Sequence, residues 1–252
     1  MKKANTLWAI DLLPHLPRPL RKVVVARSYG RWGGVSPPPF DSLNLGLFSG
    51  DRLENIKENL EIVKRDLGIE GLEIAALEQV HGNRVLVVDG EVSLFAGRGD
   101  ALVTSRRRTA LLVQHADCQP VILFDQERRV VACVHVGWKG LVADILKETI
   151  STMKRRFLTP VTAIWAGVGP SIGPCCYEFK DWRECLPNWM HTFINNENAL
   201  DLKAATLHRL TSLGILEDRI FYDTPCTHCS PHLFSYRREG NTGRLGTVIA
   251  LK

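Results

Sequence analysis

Between Glu73 and Trp138 the chain offers six strand-like segments in succession: EIAALEQV, RVLVVD, DALVTS, TALLVQ, PVILFD and RVVACVHVGW. Aliphatic and β-branched runs of this length, separated by a few turn-forming residues, predict closely spaced strands, hence hairpins and a largely antiparallel or mixed sheet. A sheet of that extent needs its apolar faces covered, and the flanking sequence supplies the cover. In DRLENIKENLEIVKRDLGI, Leu53, Ile56, Leu60, Val63 and Leu67 recur at helical spacing and Gly68 marks the stop. GLVADILKETISTMKRRF predicts one helix that packs Leu141, Ile145, Leu146 and Ile150 on the sheet. DWRECLPNWMHTFI and DLKAATLHRLTSLGI predict two more, the second capped by Asp201 and stopped at Gly214. A strand at Lys22–Ala26 leads into a Gly/Pro-rich loop, VTAIWAGVGPSIGPCCYEF is a strand entering a turn, and RIFYDTP and GTVIALK are closing strands. Repeats and linkers are absent, and 252 residues with 45% hydrophobic content suit one α+β domain.

A net charge of +5, spread over short clusters such as Arg106–Arg108 and Arg237–Arg238, reads as solvated surface and predicts no nucleic-acid partner. Met1–Ile10 lacks the apolar core of a secretory signal, and no apolar run approaches the ~20 residues of a membrane span. The expectation is a cytoplasmic protein without a membrane partner. Its seven cysteines then read as thiols or metal ligands more than as a disulfide framework. The sequence does not specify an oligomeric state.

Three strand-to-loop junctions carry metal-binding side chains: His81 in LEQVHGNRV, Cys118 in VQHADCQPV and His135 in CVHVGWKG. Two imidazoles and one thiolate are a ligand set of catalytic zinc, with a fourth position open. The alternative is that each is a buried core residue, and the long spacings do not choose between the two. His115 is a competing ligand, and Cys133 is either a sheet residue, on one face with His135 and Gly137, or a second thiol. Cys226, His228, Cys229 and His232 in CTHCSPH have the Cys-x-x-Cys spacing of a zinc knuckle but no second pair at knuckle spacing. Cys175 and Cys176 are vicinal and read as turn-shaping or redox-sensitive.

GGVSPPPFDSLNLG, EQVHG, ADCQPVILFD, VHVGWKG, GPSIGPCCYEF and LFSYRREGNTGRLG, in this order, resemble the motif set of the YfiH family, also called the polyphenol-oxidase or laccase-domain family and described as purine nucleoside phosphorylases. The resemblance runs from about residue 22. It implies a single layered α/β/β/α domain over residues 22–252, with residues 1–21 as an N-terminal extension. It also implies a zinc ion on His81, Cys118 and His135, copper being the alternative that the laccase label carries. Two departures stand out. Members commonly show HAGWRG, where this chain has Val136 and Lys139, and Lys lacks the planar fork of Arg. Thr206 also stands where an Asn is frequent.

The resemblance further implies phosphorolysis of adenosine, inosine, guanosine or methylthioadenosine, with deamination of adenosine to inosine as a second activity, so that the partners are a nucleoside and phosphate. Deamination needs an activated water, and His81, Cys118 and His135 would act through the metal. Asp117 is a candidate proton donor, or else a residue that fixes the turn. Arg27, Ser36, Asn44 and Lys139 are candidate substrate contacts, with surface charge and loop shaping as their alternatives, and Gln79 is a candidate reader of a base edge. Two rivals use other chemistry. In a cysteine-dependent amide hydrolase of the kind that edits peptidoglycan precursors, Cys118 would be the nucleophile and His135 the base. A copper-dependent polyphenol oxidase would need His-x-His pairs, which the eight histidines do not form.

Overall fold

The strand-rich middle of the chain does not stay in one sheet. The computed structural model describes residues 7–92 and 94–252. Within them lie strands β1 (Ala9–Asp11), β2 (Val24–Tyr29), β3 (Glu73–Glu78), β4 (Val85–Val87), β5 (Phe95–Arg98), β6 (Ala101–Thr104), β7 (Thr109–His115), β8 (Gln119–Asp125), β9 (Val130–Val136), β10 (Ile164–Val168), β11 (Ile220–Phe221) and β12 (Leu245–Leu251). The helices are α1 (Arg18–Arg21), α2 (Leu53–Leu67), α3 (Trp138–Val142), α4 (Ile145–Phe157), α5 (Trp182–Cys185), α6 (Leu202–Ser212) and α7 (Tyr236–Glu239). The strands form two six-stranded mixed sheets, ordered β1-β2-β12-β7-β3-β5 and β11-β10-β8-β9-β6-β4.

Of the six segments expected to form consecutive hairpins, only β8 and β9 pair antiparallel as sequence neighbours. The chain crosses between sheets at β6 to β7 and again at β7 to β8, while β3 lies parallel to both β7 and β5, and β4 parallel to β6. The physical reason is burial on both faces. Every residue of β7, β8 and β9 is buried, so these runs suit the middle of a stack, and apolar pattern alone does not say which sheet each joins. β5 carries no strand signal, because Gly97 sits in its centre at φ 133°.

Three apolar layers follow. Leu111, Val113, Ile249 and Leu251 of the first sheet face Ile122, Phe124, Val131 and Cys133 of the second. The outer face of the second sheet, with Val121, Leu123, Val134 and Val136, packs on Ile145, Leu146, Ile150 and Met153 of α4 and Leu202, Ala205 and Leu210 of α6. Ala110, Leu112, Val248 and Ala250 on the outer face of the first sheet receive Ile56, Leu60, Val63 and Leu67 of α2. Each Val, Leu, Ile, Phe or Met among them contributes ~1.5–3 kcal/mol when fully buried. The result is the α/β/β/α layering, and no helix among the described residues is long and apolar enough to cross a membrane.

Two predicted helices are interrupted. Residues 140–157 split into α3 and α4 at Asp144, whose φ of 65° is a left-handed conformation that Asp tolerates. Its carboxylate accepts from Arg209 Nε at 2.9 Å. Residues 181–194 break at Pro187, which has no N–H to continue α5, and resume as a 3-10 turn over Asn188–Phe193. α6 is as expected, with Asp201 accepting from the Ala204 N–H at 2.9 Å.

The described part of residues 1–21 is not an appendage. β1 pairs with β2, Leu12 and Leu16 are buried, and Gly167 of β10 is so close that a Cβ there would stand 2.3 Å from the Leu12 carbonyl oxygen. Leu12→Ala is therefore expected to destabilise the whole domain by ~2–5 kcal/mol, as for other buried leucines. Urea unfolding followed by tryptophan fluorescence measures this, and a loss below ~1 kcal/mol would separate the segment from the core.

Candidate functional site

His81, Cys118 and His135, far apart in sequence, converge at one end of the sheet stack, their ligand atoms all within 4.8 Å of one another. His81 lies in the turn that leaves β3 for the second sheet, Cys118 in the crossing from β7 to β8, and His135 near the end of β9. The two imidazoles meet edge to face, with centroids 4.9 Å apart. Two backbone outliers cluster here: His81 has φ 59° and Asp117 has φ 92°. Non-glycine residues held in such conformations typically cost ~1–3 kcal/mol, which surrounding structure must offset. Gly137 is required sterically, since a Cβ there would lie 3.1 Å from Cys118 Sγ and 3.2 Å from His81 Cδ2.

The organiser of this arrangement is Asp100, which the sequence reading did not single out. Its buried carboxylate accepts from the backbone N–H of His81 at 2.9 Å and of Gly82 at 2.8 Å, and lies 2.9 Å from His135 Nδ1. Its own carbonyl accepts from the His135 N–H at 2.7 Å. One side chain thus holds the His81 turn and orients the His135 ring, leaving His135 Nε2 for the site. Burial opposes the Asp100 charge, but hydrogen bonds from His135 and from the Gly82 and His81 N–H groups keep its carboxyl below the usual range. The only sequence trace is an Asp after Gly99 at a strand start, a pattern shared by any turn.

Charge complementarity follows in the metal-free protein. Burial alone would push the Cys118 thiol up, yet the charge of His135 and hydrogen bonds with His135 and His81 bring it down to about 6. Burial would likewise lower His135, but the Cys118 thiolate and Asp100 raise it to about 9. A thiolate and two imidazoles, one braced by a carboxylate, suit a divalent metal ion by donor chemistry and by spacing. His115 is not part of the group. It is buried, its Nε2 lies 3.1 Å from the Thr247 hydroxyl, and desolvation pushes it down to about 3, which keeps it neutral. Cys133 packs between the sheets with Sγ 3.4 Å from the Thr247 carbonyl oxygen, and burial raises its pKa well above the usual thiol value.

The three side chains open onto a cavity of about 420 Å³. Phe48, Tyr177 and Tyr236 give it aromatic walls, and Arg237 and Arg244 give it positive charge. Backbone carbonyls receive both guanidinium groups: Thr242 and Gly243 for Arg244, Glu178 for Arg237. Neither forms an ion pair with a carboxylate among the described residues. These arginines and Tyr236 lie within the quoted motif LFSYRREGNTGRLG, but residue type alone does not say which of its cations point inward. Asp117 also lines the cavity, with both carboxylate oxygens engaged: Oδ1 accepts from the Thr227 hydroxyl and Oδ2 from the Arg237 N–H, each at 2.6 Å.

Of the expected substrate contacts, Gln79 lines the cavity, but its amide is committed to the backbone of Gln114, donating at 2.6 Å and accepting at 2.7 Å. The other four lie off the cavity wall. Arg27 is turned toward α2 and pairs with Asp66 at 2.5 Å. Ser36 is buried and accepts from Asn59 at 2.9 Å. Lys139 is exposed, its Nζ 5.5 Å from the Trp138 ring centroid. Asn44 is fully buried and acts at one remove, its Oδ1 accepting from the N–H of Gly46 and of Arg244. Ser36 and Asn44 satisfy buried partners and Arg27 is paired with Asp66, so these three are engaged within the protein, whereas Lys139 is carried away from the cavity wall by its exposed position in α3.

Residues 25–252 match the family model described as multi-copper polyphenol oxidoreductase laccase. The chain is 35% identical to a protein of Corynebacterium glutamicum named purine nucleoside phosphorylase, over 96% of this chain and 98% of that one. It is also 35% identical to the Escherichia coli protein named purine nucleoside phosphorylase YfiH, over 95% and 98%. Among solved structures it superposes on the Bacillus licheniformis hypothetical protein YfiH with a TM-score of 0.84 at 31% identity, covering 91% of this chain and 93% of that one. YlmD from Geobacillus stearothermophilus gives 0.82 at 27% identity, covering 94% of each.

Replacing Asp100 by Asn is expected to weaken metal binding ~10–100-fold, measured by chelator competition on protein that keeps its far-ultraviolet dichroism. Undiminished affinity would remove Asp100 from the orienting role. In metal-stripped protein, alkylation of Cys118, followed on its own peptide by mass spectrometry, should rise with pH through about 6 as the thiolate forms. An inflection at the ordinary thiol value of ~8.5 would contradict the coupling to His135.

Proposed function

The chain belongs to the YfiH-type family of laccase-like domains, and from that membership we propose that it is a zinc-dependent purine nucleoside phosphorylase that also deaminates adenosine. The observation that carries the reading is the composition of one cavity. The His81/Cys118/His135 group, two arginines without carboxylate partners and three aromatic side chains line the same space. Its volume falls within the ~300–1,000 Å³ of small-molecule sites.

Phosphorolysis breaks the bond between the purine nitrogen and the anomeric carbon, and forms a bond from that carbon to a phosphate oxygen. The anion must be held close to a ring that becomes positive, so cationic donors are needed near the sugar. Arg237 and Arg244 supply these donors, and a guanidinium fork matches phosphate oxygens. Tyr177, Tyr236 and Phe48 supply faces on which a purine stacks. Asp117 positions the arginine wall through the Arg237 N–H and is a brace more than a proton donor. His81, Cys118 and His135 would hold the zinc, which supplies Lewis-acid polarisation and a water of lowered pKa for deamination. Two imidazoles and a thiolate also suit copper. Zinc is preferred because neither reaction moves electrons to or from the metal.

A second reading has an observation of its own. In the metal-free protein, Cys118, His135 and Asp100 form a nucleophile, base and orienting carboxylate in series, with Asp100 2.9 Å from His135 Nδ1. That is the arrangement of a cysteine-dependent amide hydrolase.

Incubation of zinc-loaded protein with adenosine, with and without phosphate, tests the proposal. Adenine and ribose 1-phosphate are expected only when phosphate is present, with inosine as a second product in either case. Arg244→Ala should raise the KM for phosphate about tenfold or more, since a charged hydrogen bond contributes ~1.5–3 kcal/mol, and should leave deamination largely intact. Absence of turnover of any purine nucleoside by metal-loaded protein would overturn the phosphorylase reading and favour the hydrolase.

A further inference from the structure

The Cys-x-x-Cys of residues 226–229 has a second pair after all, contributed by the vicinal Cys175 and Cys176 about fifty residues away. The four sulfurs all lie within 4.8 Å of one another. Cys176 Sγ is 3.4 Å from Cys229 Sγ and 3.6 Å from Cys175 Sγ, and Cys175 Sγ is 3.6 Å from Cys229 Sγ. A zinc ion with four sulfurs at ~2.3 Å in a tetrahedron separates those sulfurs by about 3.8 Å. The observed spacings are within a few tenths of an ångström of that edge and far from the ~2.05 Å of a disulfide.

The surroundings also have the character of a ligand site. The Gly173 N–H points at Cys226 Sγ at 3.1 Å, a hydrogen bond that favours the thiolate form. The turn from Cys226 closes through the Ser230 N–H to the Cys226 carbonyl at 3.1 Å. Among the described residues this is the one group besides His81/Cys118/His135 whose ligand atoms converge in this way. We propose that Cys175, Cys176, Cys226 and Cys229 bind a structural zinc ion, each thiol releasing its proton to solvent, and that this ion braces two walls of the cavity.

The bracing follows from what the two loops carry. Tyr177, directly after Cys176, lines the cavity. Arg238 at α7 donates to the carbonyls of Thr227, His228 and Ser230 on the cysteine turn, at 2.9, 2.7 and 3.0 Å. α7 in turn presents Tyr236 and Arg237 to the same cavity. Thr227, between the two cysteines of the turn, holds Asp117 beside Cys118. A four-thiolate ion would lock the 171–177 loop to the 226–230 turn, independently of the reaction that the cavity serves. Closed four-sulfur sites of this kind contribute folding free energy and do not open a coordination position to substrate.

Protein purified under reducing conditions, equilibrated with zinc and desalted, is assayed for metal by mass spectrometry. The whole protein should carry two ions per chain, Cys118→Ser one, Cys229→Ser one, and the double variant none. Cys175→Ser provides an independent removal should Cys229→Ser fail to fold. Cobalt-loaded Cys118→Ser should show the intense thiolate charge-transfer and tetrahedral d–d bands of a sulfur-only site, and chelation should lower its melting temperature. If wild type and Cys118→Ser each hold a single ion that Cys229→Ser lacks, the four-cysteine site stands and the His/Cys/His reading falls. If Cys118→Ser holds no ion, or the four cysteines appear as two disulfides in the freshly reduced and desalted protein, the proposal is overturned.

Discussion

A buried carboxylate is costly to desolvate and is retained only where enough donors meet it. Asp100 meets that condition with the N–H groups of Val80, His81 and Gly82 and the Nδ1 of His135. The exchange is mutual. The charge is held by donors that would otherwise lack partners, and those donors are the backbone of the turn that carries His81 and the ring of His135. The left-handed backbone at His81 persists because its N–H and that of the next residue are tied to the same carboxylate. The tautomer of His135 is chosen by the same group, and through His135 the protonation of Cys118. The His81 turn, the His135 ring and, through it, the charge on Cys118 therefore depend on one carboxylate, while the second strained residue, Asp117, is held separately by Thr227 and Arg237.

The architecture explains why so few residues suffice. β7, β8 and β9 run through the centre of the stack with both faces buried, so their ends are rigid. Side chains placed where these strands stop inherit that rigidity, while the loops beyond them supply shape and charge. The cavity has a firm floor of His81, Cys118 and His135 and walls drawn from residues near 48, 177 and 237, which come from separate parts of the chain. Its arginines are held by backbone carbonyls, which orient a guanidinium without neutralising it.

Much of this was legible in the residues. The α2 stripe, the Gly68 stop, the Asp201 cap and the runs of β7, β8 and β9 all appear as local patterns whose physics is local. The α/β/β/α layering came through the motif order and not through periodicity. The allocation of strands to two sheets was not readable, because a fully buried strand has the same apolar run in either. Arg27, Ser36, Asn44 and Lys139 are attractive for chemical type, but folding pairs Arg27 with Asp66, Ser36 with Asn59 and Asn44 with the backbone of Gly46 and Arg244, and leaves Lys139 exposed off the cavity wall. The role of Asp100 and the meeting of Cys175–Cys176 with Cys226–Cys229 depend on contacts between distant segments, for which a single sequence carries no signal, and the motif that contains Arg244 does not say which of its cations turns inward.

Only Ala116, Asp117 and Cys118 separate the end of β7 in one sheet from the start of β8 in the other. So short a tether leaves no slack, and a sideways slip of one sheet over its neighbour would be felt first as a displacement of sulfur relative to imidazole. Cys118 thus sits on a three-residue link between the two sheets, and the place of its sulfur relative to the imidazoles of His81 and His135 is set by how the sheets are stacked.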